Sequence, residues 1–175
     1  MQIGDKSPDV EIGQLKAAFE VTQQLLEARQ ISAGHDISDG GIVVALLEMA
    51  FAGNTGIQVA LPAAADGSDA MAALFAEELG LLLEVDAAAE AAVVDAYRSA
   101  GLPVTQLGSG AATGDVSISV GGQEQITGGH PAHAPHTLQA ACEGSPHTLA
   151  ALSAQVARSV LLYGIHAWDV LRPSS

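Results

Sequence analysis

Apolar residues recur along the chain with two periods, about 3.6 in some blocks and about 2 in others. The first helical block places Leu15, Ala18, Phe19, Leu25 and Leu26 among good helix formers and predicts a helix ending near Gln30. Residues 1–12 lead into it irregularly, with Ser7-Pro8-Asp9 reading as a turn. Ile31-Ser32-Ala33-Gly34 reads as a short strand. It runs into His35-Asp36-Ile37-Ser38-Asp39-Gly40-Gly41, which opens a second helix over 41–51. Helical spacing lets Val44, Leu47 and Phe51 share one face of that helix. A turn at Gly53-Asn54-Thr55-Gly56 precedes the alternating strand Ile57-Gln58-Val59-Ala60-Leu61, which Pro62 stops.

A small-residue loop over 63–70 leads to a short helix over 71–76. Residues 79–85 form a near-continuous apolar run, the pattern of a strand buried on both faces. Asp86 is placed to cap a third helix over 87–100, which Gly101 ends. Two strands, 104–107 and 116–120, flank a glycine-rich turn. Strands alternating with helices predict an α/β (α+β) domain, a mixed sheet with flanking helices in two or three layers. No internal repeat emerges. The first domain is expected over 1–122, followed by a low-complexity linker over 123–137 that contains Gly128 to His136. Residues 138–175 form a helical tail whose fold the pattern leaves open, with 138–155 its helical part.

With 49 % hydrophobic residues in 175, the chain can build one core. Its net charge of −14 argues against nucleic acid and anionic membrane as partners, since both call for clustered Lys and Arg. No run is long enough to span a bilayer, and Met1-Gln2-Ile3-Gly4-Asp5-Lys6 lacks the apolar core of a signal peptide. The single cysteine, Cys142, excludes an internal disulfide and fits a reducing, cytoplasmic setting.

Chemistry concentrates before the second helix, where two acids, a hydroxyl, a histidine and three glycines occupy residues 34–41. Amide N–H groups at a helix start are unpaired, the dipole end is positive, and glycine admits a ligand to the backbone. A carboxylate there can share a Mg2+ shell with phosphate. Two readings fit: a metal–phosphate site, or a turn in which Ser38 or Asp39 simply caps the helix.

His35-Asp36-Ile37-Ser38-Asp39-Gly40-Gly41, followed by Glu48-Met49-Ala50-Phe51-Ala52-Gly53, resembles the signature of the phosphoribosylformylglycinamidine synthases. These are large amidotransferases of purine biosynthesis. The resemblance continues at Phe75-Ala76-Glu77-Glu78-Leu79-Gly80 and begins earlier, at Gln2-Ile3-Gly4-Asp5 and Leu15-Lys16-Ala17-Ala18-Phe19. It spans roughly residues 2–122, with a weaker echo over 138–155. Several blocks in register are more specific than any one of them.

The resemblance implies the C-terminal type of domain of aminoimidazole ribonucleotide synthetase-like enzymes, from the second such half of the synthase. In that family ATP phosphorylates the amide oxygen of formylglycinamide ribonucleotide, and ammonia from glutamine then attacks. Carried over, Asp36 coordinates Mg2+ and Ser38 hydrogen-bonds a phosphate of ATP or ADP. Asp39, Gly40 and Gly41 would shape the nucleotide-binding turn, with both glycines offering backbone N–H groups. Asp36 and Ser38, two apart, face one ligand if the segment is extended. His35 orients a phosphate or Asp36, or else is a packed, hydrogen-bonded histidine.

Other polar groups carry less. Glu48 is expected to be solvated or capping. Glu77 and Glu78 are adjacent, so they point to opposite faces and do not act as a pair. Prolines interrupt His130, His133 and His136 and argue against a metal site, and Cys142 lacks a base that would make it a nucleophile.

The resemblance also has departures. Cys142-Glu143-Gly144-Ser145-Pro146-His147 differs from the family's motif at that place, and no Walker loop supplies an independent ATP site. By the same resemblance the chain would start inside the family's domain, lack the N-terminal half and the glutaminase domain, and depend on both as partners. Three roles follow: a segment of the ligase, a nucleotide-holding structural module without activity alone, or a small subunit-like protein.

Overall fold

The computed structural model describes residues 12–63, 70–111, 113–129 and 158–164. In chain order these form α1 (Ile12–Glu27), β1 (Ile31–Asp36), α2 (Gly41–Gly53), β2 (Gly56–Leu61), α3 (Ala70–Phe75), β3 (Gly80–Asp86), α4 (Glu90–Ser99), β4 (Val104–Ala111), β5 (Asp115–Val120), β6 (Gln123–Gly129) and β7 (Arg158–Gly164). The strands make one mixed sheet in the order β1-β3-β7-β4-β2-β5-β6. Only β2 and β5 run parallel; every other neighbouring pair is antiparallel.

β3 shows why the domain has three layers. Its apolar run places neighbours on opposite faces of the sheet. Leu82 joins Ile42, Leu46 and Leu74 in the core beneath α2 and α3, while Leu83 and Val85 join Ala18, Leu25, Val93 and Tyr97 beneath α1 and α4. All three β3 residues are buried, as expected of a strand covered on both sides.

The expected faces of two helices were incomplete. On α2 the buried residues are Ile42, Val43, Ala45, Leu46 and Ala50, whereas Val44 and Leu47 are half-buried and Phe51 is exposed. Its nearly all-apolar sequence offered no single face to choose. On α1 only Ala18 and Leu25 are buried; Leu15, Phe19 and Leu26 remain exposed.

Several boundaries moved. β1 extends through Asp36, and β4 runs on through Gly108 and Gly110, so the glycine-rich segment is mostly strand. α4 begins at Glu90 with Ala89 in the cap position, because a turn closed by Ala89 N–H on the Asp86 carbonyl (2.8 Å) intervenes. Residues 123–129, expected to begin a linker, form β6 against β5. Residues 158–164, expected within a helical tail, form β7 and insert between β3 and β4. The proposed helix over 138–155 and residues His130, His133, His136 and Cys142 lie outside the described residues.

A partly buried polar contact ties α1 to α4. Thr22 Oγ1 donates to the Ala18 carbonyl at 2.7 Å and lies 2.6 Å from the Tyr97 hydroxyl. Thr22 spends its single proton on Ala18, so the phenol donates to Thr22. Burial pushes the Tyr97 pKa above its usual value. The folded state therefore holds this proton at pH values where the unfolded chain releases it. Stability from this group is intact below about pH 10 and falls as pH rises beyond it. In denaturant titrations, Tyr97→Phe is expected to cost about 0.5–1.5 kcal/mol at pH 7 and to flatten the alkaline decline.

Candidate functional site

A bulge in β1 decides what the acid-rich segment can present. The register pairs Ile31 with Val85, then shifts, so that Ala33 meets Glu84, His35 meets Leu82 and Asp36 meets Leu81. Residues directly opposite in an antiparallel pair share a face, and one inserted residue exchanges the faces of everything after it. His35 thus shares the α2 side with Leu82, and Asp36 shares the α1 side with Leu81. Without the bulge the two would be exchanged. The Ser32 hydroxyl sits at the shift, 2.9 Å from the Glu84 carbonyl oxygen and 2.8 Å from Glu84 Oε1.

Asp36 is the last residue of β1, and its side chain is 71 % exposed. It borders two hollows between α1 and the β1–β3 edge. One, of about 420 Å³, is lined also by Thr22, Leu26 and Leu83; the other, of about 400 Å³, by Leu15, Phe19 and Leu79. The carboxylate therefore stands at the head of an otherwise largely apolar groove.

His35, which also lines the first of these hollows, donates Nδ1–H to the Asp36 backbone carbonyl at 2.6 Å, and this nitrogen lies 3.6 Å from Asp36 Oδ1. His35 Nε2 lies 3.1 Å from Glu48 Oε2 on α2. Glu48 was expected to be merely solvated or capping. Glu48 is solvated as expected, 57 % exposed; its contact with His35 is an addition that depends on the bulge turning His35 toward α2.

The loop after β1 is fixed by backbone groups. Ile37 N–H donates to the Gly80 carbonyl at 2.9 Å, and Gly41 N–H to the Ser38 carbonyl at 3.0 Å. Gly40 occupies the N-cap position of α2 in a left-handed conformation, with no side-chain cap. The capping role considered for Ser38 or Asp39 is thus overturned, and both residues are exposed. Gly40 N–H donates to Glu77 Oε1 at 2.9 Å. The two glycine N–H groups expected to face a phosphate therefore already have acceptors, Glu77 for Gly40 and the Ser38 carbonyl for Gly41.

The segment does not converge on one point. Asp36 opens toward the α1 groove, while the Gly40 amide meets Glu77, which follows α3. Sequence reasoning missed Glu77 because its partner is 37 residues away. The usable signal was a carboxylate able to reach a helix start, and only the tertiary fold supplies that proximity.

Among the described residues, no group of three or more His, Cys, Asp and Glu side chains is arranged to hold a metal ion. A single exposed carboxylate still suits Mg2+, which keeps several waters and commonly binds one or two carboxylates together with phosphate oxygens. Among the described residues, no helix is long and apolar enough to cross a membrane.

Residues 3–121 match the family model described as AIR synthase related protein, C-terminal domain. The chain is 46 % identical over 125 residues to phosphoribosylformylglycinamidine synthase of Homo sapiens, an alignment covering 69 % of this chain and 9 % of that protein. It is 48 % identical over 99 residues to the probable phosphoribosylformylglycinamidine synthase, chloroplastic/mitochondrial, of Arabidopsis thaliana, covering 56 % of this chain and 7 % of that protein. The chain thus spans less than a tenth of either curated relative it matches.

The start of α2 is sterically committed. A Cβ on Gly41, at φ +71°, would meet the Leu74 carbonyl oxygen and Phe75 backbone at 2.7 Å. Gly41→Ala is expected to lower stability by about 1–3 kcal/mol, read from denaturant unfolding. An unchanged midpoint would show that α3 does not press on this turn.

Proposed function

We propose a function from one premise: the chain belongs to the AIR synthase related family, as its C-terminal domain. It works as part of an ATP- and glutamine-dependent carbon–nitrogen ligase of the phosphoribosylformylglycinamidine synthase type, in purine biosynthesis. Names of the two relatives support that reading. Its partners are the other domains of such a synthase, including the one that frees ammonia from glutamine. A single cysteine and an acidic composition suit the cytoplasm.

Within that enzyme the segment contributes to a Mg2+–nucleotide site. The observation that carries this reading is Asp36, an exposed carboxylate that the β1 bulge turns toward the groove beside α1. Bound there, Mg2+ would supply charge neutralisation for the phosphates of ATP or ADP. Asp36 offers the metal a hard oxygen ligand. Ser38, two residues on and exposed, offers a hydroxyl to phosphate.

Gly40 offers its N–H only when Glu77 leaves it. An exposed carboxylate can leave readily, and an approaching phosphate repels it. Gly41, its N–H turned back on Ser38, shapes the turn, and Asp39 remains at its outer side.

The test is calorimetric titration of the intact protein with ADP in the presence of Mg2+. Asp36→Asn is expected to weaken binding at least about tenfold, equivalent to about 1.4 kcal/mol, while the unfolding midpoint stays constant. Wild-type affinity in that variant would remove Asp36 from the site.

A further inference from the structure

We propose that Glu48 is a positioning residue for Asp36, acting through the His35 ring. The proposal rests on the Mg2+–nucleotide reading above and deepens it.

The need for such a device follows from the sheet edge. Ile37 N–H donates inward, to the Gly80 carbonyl next to β3. The Asp36 carbonyl belongs to the same peptide unit, and in a trans peptide the C=O points opposite to the N–H. It therefore points off the open edge, where β1 has no further strand among the described residues. His35 Nδ1 fills that place at 2.6 Å, as a neighbouring strand's N–H would. The same nitrogen lies 3.6 Å from Asp36 Oδ1, beyond hydrogen-bond reach, so what the ring restrains is the peptide from which the carboxylate springs.

A ring held at one nitrogen can still pivot about that contact. Glu48 Oε2, 3.1 Å from Nε2, holds the far end and anchors it to α2. α2 is itself fixed, with Leu46 and Ala50 buried in the core on either side of Glu48 in sequence. The relay thus runs from a packed helix, through an imidazole, to the peptide that carries the carboxylate at the groove. Groups that orient a metal-binding residue in this way tune affinity without touching the metal.

Stability does not account for the pair. Glu48 is 57 % exposed and His35 30 % exposed, and ion pairs in contact with water add little to folding. What the contact changes is geometry.

The experiment compares Glu48→Ala, Glu48→Gln and Asp36→Asn in the intact protein. Each is titrated with ADP, with Mg2+ and with a chelator in its place, and each is melted without ligand. Glu48→Ala is expected to weaken Mg2+-dependent ADP binding about tenfold, with the melting midpoint and the metal-free titration unchanged. Glu48→Gln keeps an amide that can either accept from or donate to Nε2 and should recover most of the affinity. Wild-type binding by Glu48→Ala alongside loss in Asp36→Asn would overturn the positioning role and leave the site intact. Equal weakening by Glu48→Ala and Glu48→Gln would also overturn it, because a hydrogen-bonding partner for Nε2 would not matter. Wild-type binding by Asp36→Asn would remove the site itself.

Discussion

The one-residue bulge between Ile31 and Ala33 is the constraint on which the site depends. Side chains alternate along a strand, so a single inserted residue reverses every assignment after it. With the bulge, His35 reaches Glu48 on α2 and Asp36 opens toward α1. Removing it would send the carboxylate under α2 and take the imidazole away from Glu48. Neither would then have its present partner.

A bulge can be tolerated here because β1 is an edge strand among the described residues. In the middle of the sheet, an extra residue would disturb ladders on both sides. At the edge it disturbs one, and Glu84 on β3 contacts the Ser32 hydroxyl where the register shifts. The central strands instead carry the packing. Leu82 is buried under α2 while Leu83 and Val85 are buried under α1 and α4, so β3 joins two cores that otherwise have separate members. Covered on both faces, β3 is the template against which β1 pairs, and that pairing places Asp36.

How much of this was readable from residues alone differed by the length of the interaction. The α/β class, the mixed sheet and the covered β3 followed from period and apolar runs, which are local signals. The acid-rich segment stood out for its composition. Strand β7 was not legible, because nothing in the pattern of 155–175 points to a place between β3 and β4. The exposed faces of α1 were misjudged, since Leu15, Phe19 and Leu26 share helical spacing with residues that are buried. The cap at Asp39 failed for a different reason: local propensity favoured an acid, but the left-handed turn at Gly40 took the cap position. Glu48 and Glu77 were invisible as partners because each pairing spans a distance in sequence that only folding closes.

Those two carboxylates act on opposite ends of the same short segment, and with different consequences. Glu48 holds His35 at the end of β1, whereas Glu77 holds the Gly40 amide at the start of α2. A negative side chain at a helix start is favourable in the absence of any other anion. A phosphate brought to this loop would compete with Glu77 for one donor but would not compete with Glu48, whose partner is a ring nitrogen on the other side of β1. On the proposed nucleotide-binding reading, ligand arrival would displace one carboxylate and leave the other in place. On that reading the half presenting Asp36 would stay fixed, while the half presenting Gly40 would exchange its internal anion, Glu77, for an external one.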